Sequence, residues 1–110
     1  MAGHVSAQYN LAFCYRDGEG VTVNKREAFT WFKRAADAGH SDAQCEVGNF
    51  YYDGIGIDVD KHEGMKWMTR SAEAENTNAQ ANLGIIYKTG NGSAANIEES
   101  NRWYSDSMAR

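Results

Sequence analysis

Small and apolar side chains recur four apart in three windows of the chain: Ala7, Leu11 and Tyr15; Ala43, Val47 and Tyr51; Ala79, Leu83 and Tyr87. A spacing of four keeps residues on one face of an α-helix, so each window predicts a helix with a single buried stripe. A second apolar set follows each window after a glycine-bearing turn. These sets are Ala28, Trp31, Phe32, Ala35 and Ala36; Gly64, Trp67, Met68, Ser71 and Ala72; and Ser100, Trp103, Tyr104, Ser107 and Met108. Their spacing is helical too. No strand-like alternation interrupts the pattern and the chain has no proline, so the predicted class is all-α. Beside each first stripe lies a small residue, Ala12, Gly48 or Gly84. Glycine inside a helix costs about 1 kcal/mol relative to alanine, and its recurrence predicts a second helix crossing there at close range.

The windows are copies of one another. Equivalent residues stand 36 positions apart throughout, from Ala7, Ala43 and Ala79 to Trp31, Trp67 and Trp103. A period of this size predicts a solenoid in which each unit buries its apolar face on the next. The chain therefore divides into three helix–turn–helix repeats, about 4–39, 40–75 and 76–110, forming one domain over 1–110. Ser41-Asp42-Ala43-Gln44 and Thr77-Asn78-Ala79-Gln80 fit the capping box, with the hydroxyl as N-cap and the glutamine reaching back. Val5 replaces the hydroxyl in the first repeat, so that helix is expected to fray. The turns Asp17-Gly18-Glu19-Gly20, Asp53-Gly54-Ile55-Gly56 and Thr89-Gly90-Asn91-Gly92 place a glycine just past each first helix, where a left-handed residue commonly ends it. No strand precedes these turns and no Gly-Lys-Ser/Thr follows, which argues against a phosphate loop. Asn24, Asp60 and Asn96 are the expected caps of the second helices, with Glu27, Glu63 and Glu99 three residues on able to bond the cap's own N–H. Gly39 stops the first repeat, whereas Glu75 holds that place in the second and predicts a longer or differently bent junction.

Charge changes the picture of partners. The net charge is -4, and it is concentrated in the middle repeat. Residues 40–75 carry three Lys and Arg against eight Asp and Glu, residues 4–39 five against four, and residues 76–110 three against three. An acidic centre repels phosphate backbones, so nucleic acid is not an expected partner; a basic peptide or protein is better received. Mean hydropathy of -0.66 and the lack of a long apolar run argue against a membrane span. The first residues carry no basic-then-apolar signal, so a cytoplasmic location is expected. Cys14 and Cys45 fall at different repeat positions and form no C-x-x-C, which predicts two free thiols in a reducing compartment rather than a disulfide or zinc framework. His4 and His40 are equivalent, but Asn76 takes the third place, so no repeated metal site is expected. His40 and Cys45 could be drawn as base and nucleophile, yet five residues apart on one helix they do not stack. No catalytic residue, cofactor or metal is expected.

The pattern A-x-x-x-[LV]-[GA]-x-x-Y-x-x-G-x-G, with the later W-[FMY]-x-x-[AS]-[AM], resembles the Sel-like repeat (SLR) family over residues 4–110. The resemblance implies antiparallel α/α hairpins stacked into a right-handed superhelix related to tetratricopeptide solenoids. It implies an adaptor for protein assemblies, known from bacterial secretion, signalling and virulence and from eukaryotic quality control. A cysteine-rich branch of the family is linked to penicillin binding and β-lactamase activity, but it pairs cysteines within each repeat, which this sequence does not. The third unit departs from the pattern at Ser93, Ser100 and Met108.

By the same resemblance, the first helix of each hairpin lines the concave side. The partner-facing residues are then Tyr9, Phe13 and Arg16; Cys45, Asn49 and Tyr52; and, beside Ala81, Ile85 and Lys88. They differ from repeat to repeat while the packing positions do not, and packing must repeat where a binding face need not. Aromatic anchors beside an amide suit capture of a peptide or helix; the competing expectation is that Tyr9 and Phe13 pack into an adjoining repeat. The recurring tryptophans are expected in the core. Ala2-Gly3-His4 repeats Ala38-Gly39-His40, which suggests a longer array or self-association through the terminal helices, with Trp103, Tyr104 and Met108 as an apolar end. The expected function is a non-enzymatic interaction scaffold. The alternatives are a specific inhibitor or immunity-type binder of an effector enzyme and, below it, a β-lactam-binding hydrolase.

Overall fold

The computed structural model describes residues 2–89, with side chains described from His4 to Lys88. Among them it forms five helices and no strand: α1 (Ala2–Asp17), α2 (Lys25–Asp37), α3 (Ser41–Asp53), α4 (Lys61–Glu73) and α5 (Thr77–Thr89). None is long and apolar enough to cross a membrane. Consecutive helices pack on one another along the chain, giving two hairpins, α1–α2 and α3–α4, with α5 opening the third repeat. The third glycine turn, the Asn96 cap and the helix with Trp103 lie outside the described residues.

The hairpin turns follow from the glycines. Gly18 and Gly54 have φ of 78° and 71°, and Gly54 N–H donates to the Phe50 carbonyl at 2.8 Å, closing α3 with the left-handed residue that glycine adopts without a Cβ clash. The second helices are capped as the sequence predicts: Asn24 Oδ1 and Asp60 Oδ1 each accept from the N–H three residues on at 3.0 Å. The cap N–H groups go elsewhere than expected. Asn24 N–H donates to the Tyr15 carbonyl at 2.8 Å and Asp60 N–H to the Tyr51 carbonyl at 2.7 Å, so these bonds tie the two helices of each hairpin together. That frees Glu27 to accept from Trp31 Nε1 at 3.2 Å.

Two sequence expectations are corrected around the first helices. Neither Ser41 nor Thr77 is a cap. His40 Nδ1 accepts from Ala43 N–H at 3.1 Å and Asn76 Oδ1 from Ala79 N–H at 3.0 Å, one residue earlier than the hydroxyls. The glutamines therefore reach back past the cap to the previous repeat: Gln44 and Gln80 Nε2 donate to the Ala36 and Ala72 carbonyls, both at 3.2 Å. In the first repeat, α1 runs from Ala2, ahead of Val5. The Glu75 junction is no longer than its counterpart. Its φ is 65°, and Glu75 and Asn76 N–H donate to the Ala72 and Ser71 carbonyls just as Gly39 and His40 do to Ala36 and Ala35. The hydrogen-bond pattern imposes the left-handed conformation on a glutamate.

Packing follows the stripes in the second and third repeats, whereas in the first Ala7 is exposed and Leu11 half-buried. Ala43, Val47, Ala79 and Leu83 are fully buried. One apolar cluster joins Ala12, Ala28, Phe32, Ala35 and Ala36 of the first repeat to Ala43, Val47, Phe50 and Trp67 of the second; another joins Met68 and Ala72 to Ala79, Leu83 and Ile86. Trp67 is 5% exposed, held between Arg70 of its own helix and Lys33 of the previous repeat, 4.6 and 5.2 Å from its ring. Trp31 is half-buried: Arg34 covers it at 4.6 Å, while with Ala7 and Leu11 it borders a cavity of about 230 Å³. The predicted close crossing is between α3 and α4. A Cβ on Gly48 would lie 2.9 Å from the Gly64 carbonyl oxygen, and one on Gly64 2.8 Å from that of Gly48.

Candidate functional site

The first helices, α1, α3 and α5, are linked side by side through polar side chains. Arg16 Nη1 on α1 lies 3.8 Å from Glu46 Oε1 on α3. Asn49 stands one helical turn on from Glu46 on α3, and its Oδ1 accepts from Asn82 Nδ2 on α5 at 3.3 Å. Asn82 also points its amide at Cys45 Sγ, 3.7 Å away, and Asn76 donates to Asp42. The result is a continuous polar strip across three repeats. Burial pushes the Glu46 carboxyl above its usual range, while Arg16 and the Asn49 amide oppose that rise.

The predicted partner-facing residues separate into three settings along this strip. Tyr9 and Phe13 are half-buried and their rings already have neighbours. Tyr9 stacks on His40 at 4.4 Å and meets Phe13 and Phe32 edge-on at 4.9 and 5.7 Å; Phe13 meets Phe32 at 5.1 Å. Burial first, then Asp42 and Glu46, push the Tyr9 phenol up to about 12. Arg16 lies over the Phe13 ring at 4.3 Å and pairs with Asp17 at 2.9 Å. Cys45 and Tyr52 are buried, 6% and 9% exposed, beneath the strip rather than on it. Asn49 is half-buried, and Ile85 and Lys88 are exposed.

Asn49, Tyr52 and Ile85 come together around one cavity of about 220 Å³ between α3 and α5, joined by Asp53, Met68, Asn82 and Ile86. Sequence reasoning missed Glu46, Asp53 and Asn82. A signal for two of them was present: Asn10, Glu46 and Asn82 are equivalent and polar in all three repeats, one helical turn before Phe13, Asn49 and Ile85. The His40–Cys45 pair offers no nucleophile. The His40 ring caps α3 and stacks on Tyr9, and burial pushes the Cys45 thiol up to about 12, far from the thiolate that nucleophilic chemistry needs. Both cysteines are free, and among the described residues no cluster of His, Cys, Asp and Glu could hold a metal ion.

No curated protein matches the chain, whereas solved structures do. The chain superposes on a Sel1 repeat protein from Oxalobacter formigenes with a TM-score of 0.91 and 31% identity, covering 96% of this chain and 43% of that one. It superposes on c5321, a protective antigen present in uropathogenic Escherichia coli strains displaying an SLR fold, with a TM-score of 0.93 and 34% identity, covering 98% of this chain and 23% of that one. It thus spans less than half the length of either. The Sel1 repeat model matches three times, at residues 5–40, 41–76 and 77–105, each match beginning one residue after the unit drawn from the sequence. One repeat is thus used three times along the sequence, and the chain belongs to the Sel1 repeat family.

Proposed function

We propose that this chain holds a segment of a partner protein against the face formed by α1, α3 and α5. Sel1 repeat proteins are generally protein-interaction scaffolds, and the face supplies the finer reading. The observation that carries it is the contrast within one chain. Packing positions repeat, whereas the neighbouring positions carry Phe13, Asn49 and Ile85, then Arg16, Tyr52 and Lys88, and three of these meet at one cavity. Asp42, Glu46 and Asp53 on α3 make this face acidic, so the segment is basic. Charge of this kind mainly speeds encounter and selects partners. The same acidity favours a second reading, in which the partner is a basic effector enzyme that the chain inhibits. The free thiols suit a reducing compartment.

The test is affinity capture with the intact chain beside a Glu46→Gln, Asn49→Ala, Asp53→Asn variant, with bound proteins identified by mass spectrometry and helicity checked by circular dichroism. A partner lost by a fully helical variant, and released by rising salt, supports the reading. A partner kept by both moves the site off this face. Turnover of a chromogenic β-lactam by the intact chain would overturn the binding role itself.

A further inference from the structure

The chain makes one contact twice: α2 of the first repeat covers α3 of the second, and α4 of the second covers α5 of the third. Equivalent residues carry it each time. Ala43, Val47 and Phe50 on α3 are buried, as are Ala79, Leu83 and Ile86 on α5. Gln44 and Gln80 donate to the Ala36 and Ala72 carbonyls of the covering helix. On α1 the same places are held by Ala7, Leu11 and Cys14, with Gln8 beside Ala7. Here Ala7 is exposed and the other three are half-buried. Ala7, Gln8 and Leu11 border the cavity of about 230 Å³ together with His4 and Trp31. Trp31 is more open than Trp67 for the same reason, since the lysine lying over the Trp67 ring comes from the preceding repeat. The outer side of α1 is thus the receiving half of a contact whose other half is seen twice in the same chain.

We propose that this face takes the second helix of the third repeat of another copy of this chain, so that copies join head to tail. The two internal contacts state what fits. Each covering helix offers a large apolar residue, Phe32 or Met68, then small residues three and four positions on, Ala35 and Ala36 or Ser71 and Ala72. All six are buried. In sequence, Tyr104, Ser107 and Met108 hold these places in the third repeat, outside the described residues. Ser107 matches Ser71, whose Oγ donates to the Ser41 carbonyl at 2.7 Å, and Val5 supplies the equivalent carbonyl on α1. The Met108 carbonyl is the acceptor for Gln8, and the cavity beside Ala7 and Leu11 leaves room for the longer Met108 side chain, which adapts to irregular gaps. The giving and receiving faces belong to different helices, so the contact is heterologous and each joined pair keeps one free face of either kind. None of these residues belongs to the acidic strip of α3, so this inference goes beyond the partner-binding reading.

The test is analytical ultracentrifugation of the intact chain over a wide concentration range. Its mass should rise from the 12.2 kDa of the monomer past the dimer without a plateau there. Leu11→Arg blocks the receiving face and Ser107→Arg the giving helix, so each variant alone should stay monomeric. Mixed, the two should form a one-to-one dimer, because one keeps the helix and the other keeps the face. Circular dichroism checks the fold of both; where helicity is lost, Ala7→Arg repeats the first arm and Met108→Arg the second. Gln8→Ala, which removes only the amide, should weaken association about fivefold. An intact chain that stays monomeric, a plateau at the dimer, or helical variants that remain monomeric when mixed overturns the proposal. The Glu46→Gln, Asn49→Ala, Asp53→Asn chain should associate as the parent does; if it does not, association runs through the acidic strip and this assignment fails.

Discussion

Gly64→Ala tests the packing logic most directly. An added Cβ would lie 2.8 Å from the Gly48 carbonyl oxygen and 2.9 Å from Tyr52 N, both main-chain atoms, and 3.0 Å from Tyr52 Cβ. No flexible side chain is available to yield, so α3 and α4 must separate. Overpacking of this kind costs about 1–3 kcal/mol, here toward the upper end, and the helix-propensity gain of alanine returns about 1 kcal/mol. The expected net loss is about 2 kcal/mol. With about 2.1 cal/mol/K per residue of unfolding entropy, a chain of 110 residues loses about 4 °C of Tm per kcal/mol, hence about 8 °C. Gly48→Ala should cost a comparable amount, because its Cβ would lie 2.6 Å from Met68 Cγ and 2.9 Å from the Gly64 carbonyl oxygen, a main-chain atom of the same crossing. The first repeat supplies the control: Ala12 and Ala28 hold the equivalent positions, both fully buried, so alanine fits where its hairpin was built for it. Differential scanning calorimetry decides the matter. A Gly64→Ala chain that melts at or above the parent temperature, as a solvent-exposed helical glycine would on gaining a Cβ, refutes the close-crossing argument.

Three further outcomes are expected. Trp67→Ala should cost about 3–5 kcal/mol and Trp31→Ala clearly less, since Trp67 is sealed between repeats and Trp31 is half-buried; equal losses in urea denaturation would contradict this assignment. Glu75→Gly should raise stability by about 1 kcal/mol by relieving the left-handed backbone at φ 65°, less whatever the freer glycine costs in the unfolded chain; a lowered urea midpoint would count against it. Glu46 has a folded carboxyl held above its unfolded value by burial. Its contribution is therefore fully present below the ordinary glutamate range near pH 4.3 and is lost as pH rises through the folded value. Glu46→Gln should remove that loss, so the stability difference between parent and variant should shift in the variant's favour from about pH 4 to neutrality. A difference independent of pH would show that Glu46 is solvated like any surface carboxylate.

Legibility of this chain in its sequence follows from what each feature depends on. The stripes Ala43-Val47-Tyr51 and Ala79-Leu83-Tyr87 and the Gly18 and Gly54 turns depend on local spacing and on the Cβ, and both are written in consecutive residues. The caps of α3 and α5 were misread because a hydroxyl at Ser41 or Thr77 competes with a side chain one position earlier. His40 Nδ1 wins where its ring also stacks on Tyr9, and Tyr9 is far off in sequence. Ser41 instead offers its carbonyl to Ser71 Oγ at 2.7 Å, across 30 positions. Glu75 was misread for the opposite reason: its own preference is against a left-handed backbone, and the bonds of the two neighbouring N–H groups overrule it.

The candidate face formed by α1, α3 and α5 shows the same division. Counting off the stripe separates variable from repeating positions, but it does not say how deep each side chain sits, because depth is set by the neighbouring repeat. Cys45 and Tyr52 share a helix with Asn49, yet α4 and α5 bury the first two and leave the third half-open. Tyr9 occupies the same repeat position as Cys45, and there an aromatic ring reaches His40 and Phe32 while a thiol stops short. Residue size at an equivalent position thus decides whether the space between repeats is filled by the protein or left over. It is filled beside Tyr9 and Phe13, where six aromatic side chains from Tyr9 to Tyr51 meet in successive pairs. It is left over beside Asn49 and Asn82, where smaller amides border the cavity. An array built on one scaffold can therefore place a single vacancy at a chosen repeat by exchanging one ring for one amide, without altering any residue that holds the helices together.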